Sequence, residues 1–218
     1  MIVSIFTIRS VAATLSLVLF AAATPALVLA QQLDTAVARA LSRIQNGVYE
    51  SGSSPLARRT LRAQGSAQER ANAEILADSL MAMVIDTVSH RLTPIARMGI
   101  MIDLGSAGSN NPRGEPVFDG AKYRLARIAY EAPAARDRAM AVSQLIFIAD
   151  SLFALDILKR VALSDDDDTS YWAVVRLRDG MGDKGGIAVL KELWDSGGVK
   201  GPRARTRMSY MARRYGWK

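Results

Sequence analysis

Cysteine is absent from all 218 residues, and histidine occurs once, at His90. The first absence excludes disulfides and argues against a lipid-modified cysteine anchor, so the fold must rest on its core. Together the two absences leave no Cys/His set for zinc, which needs three or four ligands. They leave no Cys–His nucleophile either, and His90 lies in no Gly-x-Ser-x-Gly context that would suggest a serine triad. Carboxylate pairs of the glycosidase kind come from distant positions, and nothing in the order of residues nominates one. Beyond the N-terminus, no apolar run approaches the ~20 residues that a membrane-spanning helix needs.

The one long apolar stretch is at the start. Arg9 is the only charge in residues 1–30, Val11 to Ala23 is almost wholly apolar, Pro25 breaks the run, and Val28-Leu29-Ala30 precedes Gln31. This pattern predicts a secretory signal peptide over 1–30 and an exported chain, periplasmic or secreted. An uncleaved membrane anchor is the competing expectation, weakened by the shortness of the stretch and by Pro25. Cleavage would leave 188 residues, Gln31 to Lys218, and lower the formal charge from +7 to +6. A basic surface favours anionic partners such as an acidic polymer or lipid headgroups. Nucleic acid, the first thought for a basic cytosolic chain, recedes if the protein is exported.

Helical spacing of apolar residues then organises the chain. Leu33, Val37, Ala40, Leu41 and Ile44 share a face that stops at Gly47. Ser51-Gly52-Ser53-Ser54-Pro55 predicts a turn opening a helix over 56–64. Ala67 to Ser89 contains no Gly or Pro and carries one stripe, Ile75, Leu76, Leu80, Met83, Val84 and Val88. Pro94 begins a short helix through Ile102, ended by Gly105. Residues 105–120, rich in Gly, Asn and Pro, are expected to be irregular, held only by Val117 and Phe118. They would be a flexible linker between an N-terminal helical region, 31–104, and the rest, or a binding loop.

From 121 six helices are expected in three pairs: 121–131 with 134–149, 151–163 with 168–180, and 186–195 with 203–215. A 32-residue period runs through them. Leu155-x-x-Leu158-Lys159-x-Val161 returns as Ile187-x-x-Leu190-Lys191-x-Leu193, and Ala141-Val142-x-x-Leu145 as Ala173-Val174-x-x-Leu177. Such a period marks stacked helix pairs. Burying a large apolar side chain contributes about 1.5–3 kcal/mol, whereas ordering a residue costs about 1–2 kcal/mol. An isolated pair therefore should not fold, and stacking is required.

The period and the second-helix pattern resemble HEAT-type repeats, including the short HEAT-like repeats of bacterial proteins. In that family the second helix tends to run Asp-x-x-Val-Arg-x-x-Ala-x-x-Leu-Gly. Asp137-Arg138-Ala139-x-Ala141-Val142-x-x-Leu145 comes closest, Asp168 to Leu177 keeps the Ala-Val-x-x-Leu part, and Arg203-Ala204-Arg205 looks like a degenerate third copy. The Val-Arg pair is missing from the second copy and the Gly after Leu from the first. The resemblance covers about 120–218. It implies an all-α fold, a right-handed helix-pair solenoid preceded by a helical bundle or degenerate repeats, and a scaffold for a protein partner. Tetratricopeptide repeats are the rival, but their Trp-x-x-Leu-Gly-x-x-Tyr signature does not occur.

Four clusters invite a chemical reading. Asp165 to Asp168 could supply carboxylates to Ca²⁺ or Mg²⁺, yet it lacks the alternating ligands and central Gly of such loops. A helix start capped by Asp168 or Thr169 accounts for it. Gly180-Met181-Gly182-Asp183-Lys184-Gly185-Gly186 has the look of a phosphate loop but lies between helices without Gly-Lys-Ser/Thr, and reads as cap, turn and cap. His90 is expected to meet carbonyls at a helix end. The last 19 residues hold Lys200, Arg203, Arg205, Arg207, Arg213, Arg214 and Lys218 without an acid, interleaved with Tyr210, Tyr215 and Trp217. Arg203, Arg205, Arg207, Tyr210, Arg213, Arg214 and Trp217 are accordingly the candidate partner or anion site, against a solvated terminal repeat.

No catalytic residue, metal ligand or cofactor site is nominated. The expected function is an exported, non-catalytic scaffold for protein–protein interaction in the cell envelope. The alternatives are a basic protein binding anionic lipid or polymer through 200–218, and a small envelope hydrolase or lyase.

Overall fold

A computed structural model describes residues 54–109, 117–148 and 151–218, together with Val37, Ala38, Leu41 and Ser42. Among the described residues the protein is all-α, with nine helices, one 3₁₀ turn and no strand. The presequence over 1–30 and the stop at Gly47 lie outside the described residues. Val37, Ala38, Leu41 and Ser42 are helical, and Val37 is wholly buried, in keeping with the Leu33–Ile44 stripe.

Local chemistry sets most helix starts. Helix α1 (Pro55–Arg62) opens with Pro55 after Ser54, whose side chain accepts from the Ala57 amide at 3.2 Å. Helix α2 (Ala67–Ile85) starts from a reciprocal cap between Ser66 and Glu69. It ends short of the expected Ser89 because the Asp86 carboxylate accepts the Val88 and Ser89 amides, at 3.2 and 3.0 Å, and folds those residues into a turn. Val88, expected in the apolar stripe, is therefore 88% exposed. His90 meets the helix end through its backbone N–H, which donates to the Asp86 carbonyl.

Helix α3 (Pro94–Gly108) corrects the expected stop at Gly105 and the irregular stretch from 105. It runs on because two glycines serve as contact points. A Cβ on Gly105 would lie 2.5 Å from the Gln144 side chain, and one on Gly108 would lie 2.8 Å from the Ala121 Cβ. Close packing against the next two helices thus overrides the intrinsic cost of glycine in a helix. Phe118 is buried, and its amide donates to the Ala107 carbonyl at 2.9 Å. Residues 110–116 lie outside the described residues.

The six expected helices follow: α4 (Gly120–Glu131), α5 (Ala135–Leu145), α6 (Ser151–Ala162), α7 (Asp167–Asp179), α8 (Gly186–Asp195) and α9 (Pro202–Tyr215). Gly180 closes α7, a 3₁₀ turn spans Gly182–Lys184, and Gly185 at φ +101° leads into α8. The cap-turn-cap reading of that segment describes it.

Neighbours alternate along the chain. Helix α2 packs on α4, α4 on α6 and α6 on α8; α3 packs on α5, α5 on α7 and α7 on α9. The helices of α4–α5, α6–α7 and α8–α9 also contact each other, and α1 lies against α2 and α3. Even-numbered helices therefore form one row and odd-numbered helices from α3 onward form the other. One apolar cluster extends from Val37 through Leu80, Leu104, Leu125 and Leu158 to Met211, so the helices on either side of residues 110–116 share a core. No helix among the described residues is long and apolar enough to cross a membrane.

Candidate functional site

The odd row is joined near its helix N-termini by arginine–aspartate contacts. Asp137, buried in the first turn of α5, accepts from Nε of Arg97 on α3 at 2.6 Å, while Arg97 Nη1 donates to the Leu92 carbonyl. The next residue, Arg138, reaches to the start of α7. Its Nε donates to Thr169 Oγ1 at 3.1 Å, Nη2 lies 3.3 Å from Asp166, and Nη1 donates to the carbonyls of Ala132 and Pro133.

Asp166, rather than Asp168 or Thr169, caps α7: its Oδ1 accepts the Thr169 amide at 2.7 Å. Burial pushes the Asp166 carboxyl up, but its bonds to Thr169 and the Arg138 guanidinium together outweigh this and hold it below its ordinary value. The other three carboxylates turn elsewhere. Asp165 pairs with Lys200 at 2.7 Å, Asp167 accepts the backbone amide of Arg203 at 3.0 Å, and Asp168 pairs with the Arg203 guanidinium. The run thus fastens α9 and α5 to α7 instead of converging. Among the described residues no three His, Cys, Asp or Glu side chains gather as a metal site would require.

Helix geometry divides the C-terminal candidates. Arg203, Arg207 and Tyr210 recur at the i, i+4, i+7 spacing of one ridge, and with Tyr171 they line a hollow of about 520 Å³ between α7 and α9. The Arg203 guanidinium lies 4.5 Å from the Tyr171 ring centroid, and that of Arg207 5.8 Å from Tyr210. Arg205 faces the other flank, where with Trp194, Val199 and Met208 it lines a separate hollow of about 320 Å³. Arg213 and Arg214 are exposed at the helix end. Trp217 stacks on Tyr215 at 5.5 Å and packs against the core, its amide donating to the Ala212 carbonyl. Lys200 has an acidic partner in Asp165, just before α7, and Arg203 in Asp168 on α7, which weakens the positive field of the segment.

A third cavity, of about 430 Å³, lies where α3, α5 and α7 meet. Met98, Met101 and Met140 give it an apolar lining, and Trp172, 38% exposed, stands over it. Arg136 and Arg176 add two cations that have no carboxylate partner among the described residues. Arg176 is held in place by donating to Ser143 Oγ at 3.1 Å, with its guanidinium 5.8 Å from the Trp172 ring. Tyr171 and Trp172 meet edge-on at 5.6 Å, so neighbouring residues of α7 wall both this cavity and the hollow against α9. The odd row therefore offers two adjoining concavities. The sequence carried one overlooked sign of them: Trp172 and Arg176 are four residues apart, away from the buried Ala173, Val174 and Leu177.

No family model matches the chain, and no curated protein or solved structure matches it either.

Proposed function

We propose that the protein is an exported, non-catalytic scaffold whose helix pairs stack as a HEAT-like solenoid and hold a protein partner in the cell envelope. The presequence motivates the compartment. Helices that contact their second neighbours in two rows, in step with the 32-residue period, support the stacked reading. Asp137, the residue matching the acidic position of the HEAT pattern, bonds Arg97 of the preceding odd helix, which supports it further.

The observation that carries the binding role is the pair of adjoining concavities along α3, α5, α7 and α9. Concave, largely apolar surfaces with a few placed polar groups are where ligands settle. The even row supplies the contrasting surface on which no partner is expected to sit.

A photoreactive residue installed at Met140, in the cavity, or at Lys122, on α4, tests this in envelope extract. The expected result is a discrete adduct from position 140 and none from 122. Equal labelling from both positions would end the scaffold reading. So would turnover of a defined substrate that a point variant abolishes while the fold persists.

A further inference from the structure

We infer that the cavity between α3, α5 and α7 receives an acidic, apolar stretch of extended polypeptide, with a carboxylate between Arg136 and Arg176 and a bulky side chain against Trp172 and the methionines. This rests on the scaffold reading and gives its partner a chemistry.

Charge selects the sign of the occupant. The two carboxylates that border the cavity are already engaged, Asp137 by Arg97 and Asp168 by Arg203. The two arginines beside them have no carboxylate partner among the described residues, and Arg176 is pre-aimed by Ser143 and Trp172. A planar guanidinium held in this way loses little freedom when its remaining N–H groups meet a carboxylate. A basic segment would be repelled by these two cations.

The lining selects what accompanies the charge. Thioethers are polarizable and adapt to varied apolar shapes, and they contact aromatic edges favourably. Trp172 supplies an apolar wall that is otherwise partly left in water.

Continuity selects an extended chain over a compact ligand. Trp172 and Asp168 line this cavity, while Tyr171 and Arg203 line the hollow beside it, so one face of α7 borders both. An extended peptide, advancing about 3.3 Å per residue, can follow that face from one concavity into the next.

The test uses the chain from Gln31 and a fluorescein-labelled decapeptide, Gly-Leu-Glu-Phe-Asp repeated twice, read by anisotropy. Two control peptides replace its acids by Lys or its Leu and Phe by Ser. Binding should favour the parent peptide about tenfold or more over either control, as expected for a charge-assisted contact combined with apolar burial. Arg136→Gln with Arg176→Gln should weaken it by a similar factor, and Arg176→Lys should weaken it less. Trp172→Ala should act in the same direction, while Arg213→Gln with Arg214→Gln should change it less than twofold. Circular dichroism confirms that each variant is folded, and Met140→Lys offers a second way to block the site.

Equal binding of the Lys peptide, or loss of binding only on neutralising Arg213 and Arg214, overturns the inference. Suppression of photolabelling at position 140 by sodium decanoate present during irradiation, with no effect of the peptide, assigns the cavity to an amphiphile and overturns it too. A photoadduct at position 140 that persists in the Arg136→Gln/Arg176→Gln protein sinks the acidic recognition and leaves the scaffold standing. Absence of any adduct there sinks the scaffold itself.

Discussion

Arg97–Asp137 and Arg203–Asp168 join odd helices in the same manner, one at the α3–α5 junction and the other between α7 and α9, yet their surroundings differ. In the first pair the side chains are 14% and 2% exposed; in the second they are 53% and 57% exposed. Arg138–Asp166 lies between these extremes. The same two residue types thus serve different ends along one row. In the interior, the pair must exist because neither charge can be left alone there. At the surface, water supports both partners, and the contact guides packing while adding little stability.

The interior end of the comparison carries the largest expected effect. Asp137→Ala should lower unfolding stability by about 3–5 kcal/mol, because it strands the Arg97 charge; urea denaturation measures this. Replacing both partners, Arg97→Met with Asp137→Leu, should recover most of the loss. A single-variant loss below about 1 kcal/mol would erase the distinction between the two junctions.

Asp166→Ala probes the intermediate junction and should cost about 1 kcal/mol through loss of the helix cap. It also has a pH signature. The folded carboxyl titrates below its ordinary value, so its stabilisation is complete above the unfolded pKa and disappears as pH falls through the folded one. Thermal melts should therefore show stability declining below about pH 4, with a shallower decline in Asp166→Ala. Part of the decline should remain, since Asp86 and Glu131 are held low as well, by Ser89 and by Arg127 respectively. An unchanged acid limb would remove Asp166 from the account.

The exposed junction should respond least. Asp165→Asn breaks the contact with Lys200 and should cost less than about 1 kcal/mol at low ionic strength, vanishing near ~1 M salt. A larger, salt-independent loss would mean that this pair is shielded in a way its exposure does not suggest.

Helices were legible wherever one apolar stripe faced one core. Leu158 and Leu190, 32 residues apart, are both wholly buried in the shared core. Gly105 and Gly108 were misleading because glycine in a sequence signals a stop, whereas here it marks helices approaching closely. Val88 was assigned by spacing alone, and the Asp86 turn overrode that spacing. Among the candidate site residues, the shared ridge of Arg203, Arg207 and Tyr210 follows from helical periodicity, and so does the exclusion of Arg205, two positions away. Arg136, Trp172 and the methionines of α3 could not be joined in the same way. They meet only because three separate helices stack, and no local pattern encodes that meeting.

Helix α9 starts without a polar side chain of its own: Gly201 precedes Pro202, and the Arg203 amide is accepted by Asp167 of α7. Its first turn is thus capped by α7, so this helix end finds its acceptor only where the two helices are docked. The helix and its dock are therefore one unit: undocking α9 would leave the Arg203 amide without its carboxylate acceptor.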